Sequence, residues 1–181
     1  MQPRYFPDLE RFKEKCRLGN VVPVYRQLMA DTLTPVSAFQ RIGDGPYAFL
    51  LESATGPEKI GRYCFLGSSP FALFESRGDT VTIREGDSER SLTTDDPFRE
   101  FREYLDRFRL AHVDGLPRFS CGAVGYMAYD VVRHIEHLPD CPQDDRALPD
   151  IYYMFFDEIL IFDHRDKTLK VVCSVRTDGQ Q

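Results

Sequence analysis

The chain has 181 residues, 42% hydrophobic and 29% charged, with fourteen Phe, nine Tyr and no Trp, a composition that fits one globular, aromatic-cored protein and excludes a disordered tail. Its 23 Lys plus Arg and 29 Asp plus Glu give a formal net charge of −6, which argues against a broad nucleic-acid or anionic-membrane surface. Five Cys without zinc-ribbon spacing speak against a disulfide framework, and with neither a signal-like apolar run nor a stretch near the roughly 20 apolar residues of a membrane helix, the expected location is the cytoplasm.

The spacing predicts a helix over Asp8 to Leu18, with Leu9, Phe12 and Cys16 on one face and Gly19-Asn20 as its stop. Val21-Val22-Pro23-Val24-Tyr25 reads as extended, and its proline favours an edge position or an irregular strand over a central one. Thr34-Pro35 opens a second helix, because Thr34 can cap orphan amides and Pro35 loses nothing at the first helical position, and Gly43 ends it. Tyr47 to Leu51 reads as a buried strand leading into the polar pair Glu52-Ser53.

Phe65-Leu66, Phe71 to Phe74 and Thr80 to Ile83 follow as strands of an antiparallel meander, punctuated by Gly67-Ser68-Ser69-Pro70 and Gly78-Asp79. Asp96-Pro97 opens an amphipathic helix whose Phe98, Phe101, Leu105 and Phe108 should pack on a sheet. Phe119 begins an extended run into Gly122-Ala123-Val124-Gly125, followed by a predicted helix from Tyr126 to about Glu136 and a linker-like tract from Leu138 to Pro149. A hairpin closes the series, Tyr152 to Phe162 and Thr168 to Val175 around the charged turn Asp163 to Lys167. The expected class is α+β, with largely antiparallel sheets and packed helices.

Local chemistry is sparse. Cys64 has no base at short spacing and reads as a packing cysteine; His134, His137 and Cys141 lack the spacing and further ligands of a metal site. Gly122 to Gly125 lacks the phosphate fingerprint, Asp95-Asp96 suits a helix start, and Asp144-Asp145 a hydrated linker. No catalytic residue, metal ligand or cofactor is assigned to these residues.

One ordered set of landmarks is more specific. Phe49-Leu50-Leu51-Glu52-Ser53, Glu58-Lys59-Ile60-Gly61-Arg62-Tyr63-Cys64-Phe65-Leu66-Gly67, Phe119-Ser120-Cys121-Gly122-Ala123-Val124-Gly125-Tyr126, Tyr129-Asp130, Asp150 and Tyr153-Met154-Phe155-Phe156-Asp157 together resemble the N-terminal region of anthranilate synthase component I, a chorismate-utilising family. The resemblance implies that residues 1–181 are a single N-terminal regulatory and scaffolding domain. The catalytic chorismate-binding domain, with its Mg2+, would lie beyond Gln181 as a missing partner, and a glutamine amidotransferase subunit would supply ammonia. The isolated region would then be inactive, whereas the full-length protein would be a lyase making anthranilate for tryptophan biosynthesis.

Leu51, Glu52 and Ser53 match the family element associated with tryptophan feedback inhibition. By that resemblance Glu52 receives or orients the ligand ammonium, Ser53 adds a hydrogen bond, Leu51 lines an indole pocket, and Lys59 is a further candidate. The chain departs from the family pattern at Cys64, usually a serine, at Ile60, often a tryptophan, and at Cys121, often a glycine. The corresponding region of aminodeoxychorismate synthase component I and a stand-alone binding or interaction domain remain the alternatives.

Overall fold

The computed structural model of the chain describes residues 4–52, 61–139 and 144–177. In chain order its elements are α1 (Leu9–Lys15), β1 (Val21–Met29), α2 (Pro35–Ile42), β2 (Ala48–Leu51), β3 (Tyr63–Ser68), β4 (Ala72–Arg77), β5 (Thr80–Glu85), β6 (Ser88–Thr93), α3 (Pro97–Asp106), β7 (Gly122–Met127), a 3-10 helix (Tyr129–His134), β8 (Ile151–Phe156), β9 (Glu158–Asp163) and β10 (Thr168–Arg176). They form two five-stranded sheets, ordered β1-β10-β9-β3-β2 and β6-β5-β4-β8-β7, which is the predicted α+β class. The chain groups into two compact units, Met1–Pro70 with Phe108–Gly122 and Phe156–Gln181, and Phe71–Arg107 with Ala123–Phe155.

In the first unit, Asp8 caps α1 by accepting the Arg11 amide, but the helix ends at Lys15, before Leu18, and its predicted face is only half-buried at Phe12 and Cys16, with Leu9 exposed. Gly19 is needed for a different reason: a Cβ there would run into the Arg109 carbonyl, whose oxygen accepts the Asn20 amide at 2.9 Å. β1 extends beyond Tyr25 to Met29 and lies at a sheet edge, where the absent amide of Pro23 is tolerated. α2 carries the expected Thr34 cap, completed by a reciprocal bond in which the Thr34 amide donates to Ser37 Oγ, and ends at Gly43. It covers one face of the sheet through Ala38, over a core of Cys64, Leu66, Phe162 and Leu169. Each large apolar side chain buried there contributes about 1.5–3 kcal/mol. On the opposite face, Phe49 meets Phe156 at 4.8 Å between ring centroids and Phe65 meets Phe119 at 5.4 Å, both edge-on.

In the second unit, β4, β5 and β6 form antiparallel hairpins through the two-residue turns Gly78-Asp79 and Gly86-Asp87, whose glycines take φ of +52° and +57°. β6 escaped the sequence reading because its residues, SERSLT, are almost all exposed and polar. Asp96 caps α3, and the buried face is Pro97, Phe101 and Tyr104, so of the anticipated Phe98, Phe101, Leu105 and Phe108 it holds Phe101 alone. Leu105 is 36% exposed, and Phe108 lies past the helix end.

Two element assignments need correction. The predicted helix from Tyr126 to about Glu136 starts too early and is of another type: Tyr126 and Met127 still belong to β7, with the expected extended Gly122 to Gly125, and the helical part is the 3-10 helix Tyr129–His134. Tyr126 stacks on Tyr152 of the neighbouring β8, with 6.0 Å between centroids, and that pairing overrides local helix propensity. The long strand predicted from Tyr152 to Phe162 breaks at Asp157, with β8 in one sheet and β9 in the other. At the break Phe155 and Phe156 are both buried in succession, and the Asp157 carbonyl accepts the Ser174 amide at 2.7 Å.

Gly125 shows what the β7 to β8 approach demands. A Cβ there would collide with the Tyr152 carbonyl oxygen and stand 2.6 Å from Tyr153 Cα. Backbone cannot yield as a flexible side chain would, so Gly125→Ala should destabilise by at least about 1–3 kcal/mol. Urea unfolding checks this, and an unchanged midpoint would rule out the close approach.

Candidate functional site

The candidate site stands where β2, β3 and β9 lie side by side in the first unit. Leu50 pairs with Leu66 and Leu51 with Phe65, while Cys64 pairs with Phe162 and Tyr63 with Asp163. One further step along the first ladder brings Glu52 opposite Cys64. Because side chains alternate along strands, Leu51 shares a face with Phe65, whereas Glu52 turns toward the face of Cys64 and Leu66. His164, two residues after Phe162, returns to that same face.

The resulting cluster joins three side chains that are distant in sequence. Cys64 Sγ lies 2.9 Å from His164 Nε2, and one donor atom from each of Glu52, Cys64 and His164 lies within 4.8 Å of the other two. Cys64 is completely buried, while Glu52 and His164 are exposed. The cluster therefore has a fixed inner wall and two adjustable outer arms.

The turn bearing His164 is held by its neighbour. The fully buried Asp163 carboxylate accepts a two-pronged bond from Arg62, Nε to Oδ1 at 3.0 Å and Nη2 to Oδ2 at 2.7 Å. Its Oδ1 also accepts the amides of Arg165 at 3.2 Å and Asp166 at 3.4 Å, and Lys170 Nζ stands 3.7 Å from Oδ2. Burial pushes the Asp163 carboxyl upward, but the Arg62 bond, the Asp166 amide and the charges of Arg62 and Lys170 outweigh it and hold the group below the ordinary 3.8. The His164 amide in turn donates to the Arg62 carbonyl at 2.9 Å.

Beside this turn an open cleft of about 320 Å³ is walled by Leu33, Pro35, Phe162, His164, Lys167 and Thr168 among others. Thr168 Oγ1 is buried with no hydrogen-bond partner among the described residues. A second hollow, of about 200 Å³, lies between Ile42, Leu66, Glu158 and Cys173. Neither is lined by Leu51 or Glu52.

The residues anticipated from sequence are thus only partly brought together. Leu51 is 48% exposed at the end of β2, Glu52 follows it on the other face, and Ser53 and Lys59 lie outside the described residues. Sequence reasoning missed the pairing of Cys64 with His164: it dismissed Cys64 for want of a histidine, and the histidine lies 100 residues further along the chain. The one usable signal was the position of His164 in a hairpin turn. His134 instead meets Phe98 edge-on at 6.4 Å, His137 is exposed, and Cys141 lies outside the described residues.

Comparison with known proteins adds an independent line. The chorismate binding enzyme family matches residues 46–181. Anthranilate synthase component 1 of Acetivibrio thermocellus is 36% identical over 175 residues, covering 97% of this chain and 35% of that protein. The protein of the same name from Synechocystis sp. is 37% identical over 178 residues, covering 96% of this chain and 35% of the relative. The chain therefore spans about a third of the length of these curated relatives. The crystal structure of anthranilate synthase component I from Streptococcus pneumoniae TIGR4 superposes with a TM-score of 0.53 at 22% identity, covering 85% of this chain and 32% of that one, a likeness of fold.

Proposed function

We propose that this chain, which belongs to the chorismate binding enzyme family and matches anthranilate synthase component I proteins in their N-terminal region, serves as the regulatory and scaffolding region of such an enzyme. The observation that carries the reading is the match along nearly the whole chain to relatives bearing that name, which supports it ahead of an aminodeoxychorismate synthase. In the whole protein a catalytic domain would convert chorismate and ammonia to anthranilate, pyruvate and water, with ammonia drawn from a glutamine amidotransferase subunit. Magnesium would belong to that catalytic domain. The cluster at Glu52, Cys64 and His164 does not fit it, because thiol and imidazole are poor donors for a hard cation that takes oxygen ligands.

Within this region Leu51, Glu52, Ser53 and Lys59 would contribute to a feedback pocket for tryptophan. The ligand presents an ammonium, a carboxylate and a flat apolar ring with one N–H, so its pocket needs both polar ends and apolar walls. Exposed Glu52 is available to the ammonium and half-exposed Leu51 to the ring edge. Since the two project from opposite faces of β2, the ligand would engage the strand end rather than one face. Inhibition then follows only if tryptophan binds two enzyme states unequally.

Calorimetric titration of the full-length protein with tryptophan, in chelator and with phenylalanine as control, tests this directly. Glu52→Ala should weaken tryptophan binding about 10-fold to 100-fold, the loss of a charge-assisted hydrogen bond. Equal affinity in variant and parent would remove Glu52 from the pocket.

A further inference from the structure

We propose that Glu52, Cys64 and His164 form a binding site for a borderline-soft divalent cation of the zinc type, with a fourth position open to water or an added ligand. The donors are one thiol sulfur, one imidazole nitrogen and one carboxylate oxygen, all within 4.8 Å of one another. Zinc takes this mixture in four-coordinate geometry, and three protein ligands plus one exchangeable position is the usual arrangement of an open site.

The distances show what binding requires. With bonds of about 2.3 Å to sulfur and about 2.05 Å to nitrogen, a tetrahedral centre sets those two ligands about 3.5 Å apart. Cys64 Sγ and His164 Nε2 are 2.9 Å apart, the spacing of a pair sharing a proton, and they must open by about 0.6 Å to reach that edge. Cys64 is fixed in β3 with no exposure. The exposed His164 and Glu52 must therefore make the adjustment, the first by swinging outward and the second by closing in.

Charge favours the exchange. The cation displaces the thiol proton to solvent, and its two positive charges are then balanced by the Cys64 thiolate and the Glu52 carboxylate, with His164 neutral. A thiolate buried as deeply as Cys64 is otherwise unfavourable. The guanidinium of Arg62, two residues before Cys64, is already engaged by Asp163 and Asp166, so it does not present an uncompensated positive charge. The donor chemistry also sets selectivity, since Mg2+ and Ca2+ prefer shells of oxygen.

This site does not depend on the tryptophan reading, although both draw on Glu52. Cobalt(II), which shares zinc's ligand preferences and is coloured, is the probe, added to chelator-stripped full-length protein with no amino acid present. One equivalent should produce a thiolate-to-cobalt charge-transfer band in the near ultraviolet together with the visible bands of a four-coordinate centre. Zn2+ should bleach them, and excess Mg2+ should not. Cys64→Ser should abolish the charge-transfer band, while His164→Gln and Glu52→Gln should each weaken Co2+ binding by about tenfold or more. The latter two change exposed side chains, so they decide the matter even if Cys64→Ser folds poorly. No thiolate band in the parent, a band that survives in Cys64→Ser, displacement by Mg2+, or undiminished affinity in both exposed-site variants would each overturn the proposal.

Discussion

Asp163→Ala is expected to be among the most damaging single substitutions in the chain, lowering stability by about 3–5 kcal/mol. The carboxylate it removes is fully buried and takes both prongs of Arg62 as well as two turn amides. Lys170, itself only 5% exposed and 3.7 Å from Asp163 Oδ2, would be left a buried cation without its counter-charge. Arg62→Ala should be milder, because Lys170 and the amides still compensate the carboxylate and Arg62 can already reach water.

The same group predicts a pH dependence with a definite sign. Asp163 is held below the ordinary carboxyl value of 3.8, so the folded state binds its proton less readily than the unfolded chain does. Its stabilising contribution is complete above 3.8 and is lost as pH falls below that value toward the depressed one. Urea unfolding of the parent and Asp163→Asn at a series of pH values checks both statements. A variant that matches the parent at neutral pH, or an acid slope that persists unchanged in Asp163→Asn, would show that the carboxylate is not carrying the turn.

Local signals and long-range pairing differed in how well they could be read from sequence. Thr34-Pro35, Asp96-Pro97 and the glycine of Gly78-Asp79 announce their caps and turn because each acts on backbone within a few residues. The edge position of β1 was legible from Pro23 for the same reason. The break at Asp157 was not, because the charged pair Asp157-Glu158 inside the otherwise apolar run from Ile151 to Phe162 does not by itself say that the two halves enter different sheets. The extended part of β7, Gly122 to Gly125, was legible, whereas Tyr126 and Met127 read as a helix start because their strand pairing is with β8, met more than twenty residues later along the chain.

The candidate site divides in the same way. Glu52 drew attention through a contiguous motif, but its neighbours Cys64 and His164 come to it only through the register of β2 on β3 and β3 on β9. A one-residue slip in either ladder would send Cys64 to the opposite face and dissolve the cluster. Sequence spacing contains no statement of that register.

The second large effect is expected in the aromatic core beneath α3. Phe155, 1% exposed, meets Tyr104 edge-on at 4.8 Å between centroids and Phe101 at 6.4 Å, while Phe74 meets Phe101 at 5.0 Å. These four rings join the helix to β4 and β8. Phe155→Ala should cost about 3–5 kcal/mol, from lost transfer free energy together with a cavity that the surrounding rings cannot close. Phe155→Leu keeps most of the apolar volume and should lose much less. If packing of α3 depends on these contacts, a Phe155→Ala and Tyr104→Ala double-mutant cycle will be non-additive by about 0.5 kcal/mol or more. Strict additivity, or a Phe155→Ala change under about 1 kcal/mol where a buried aromatic truncation should far exceed it, would mean that α3 is held by something other than this ring cluster.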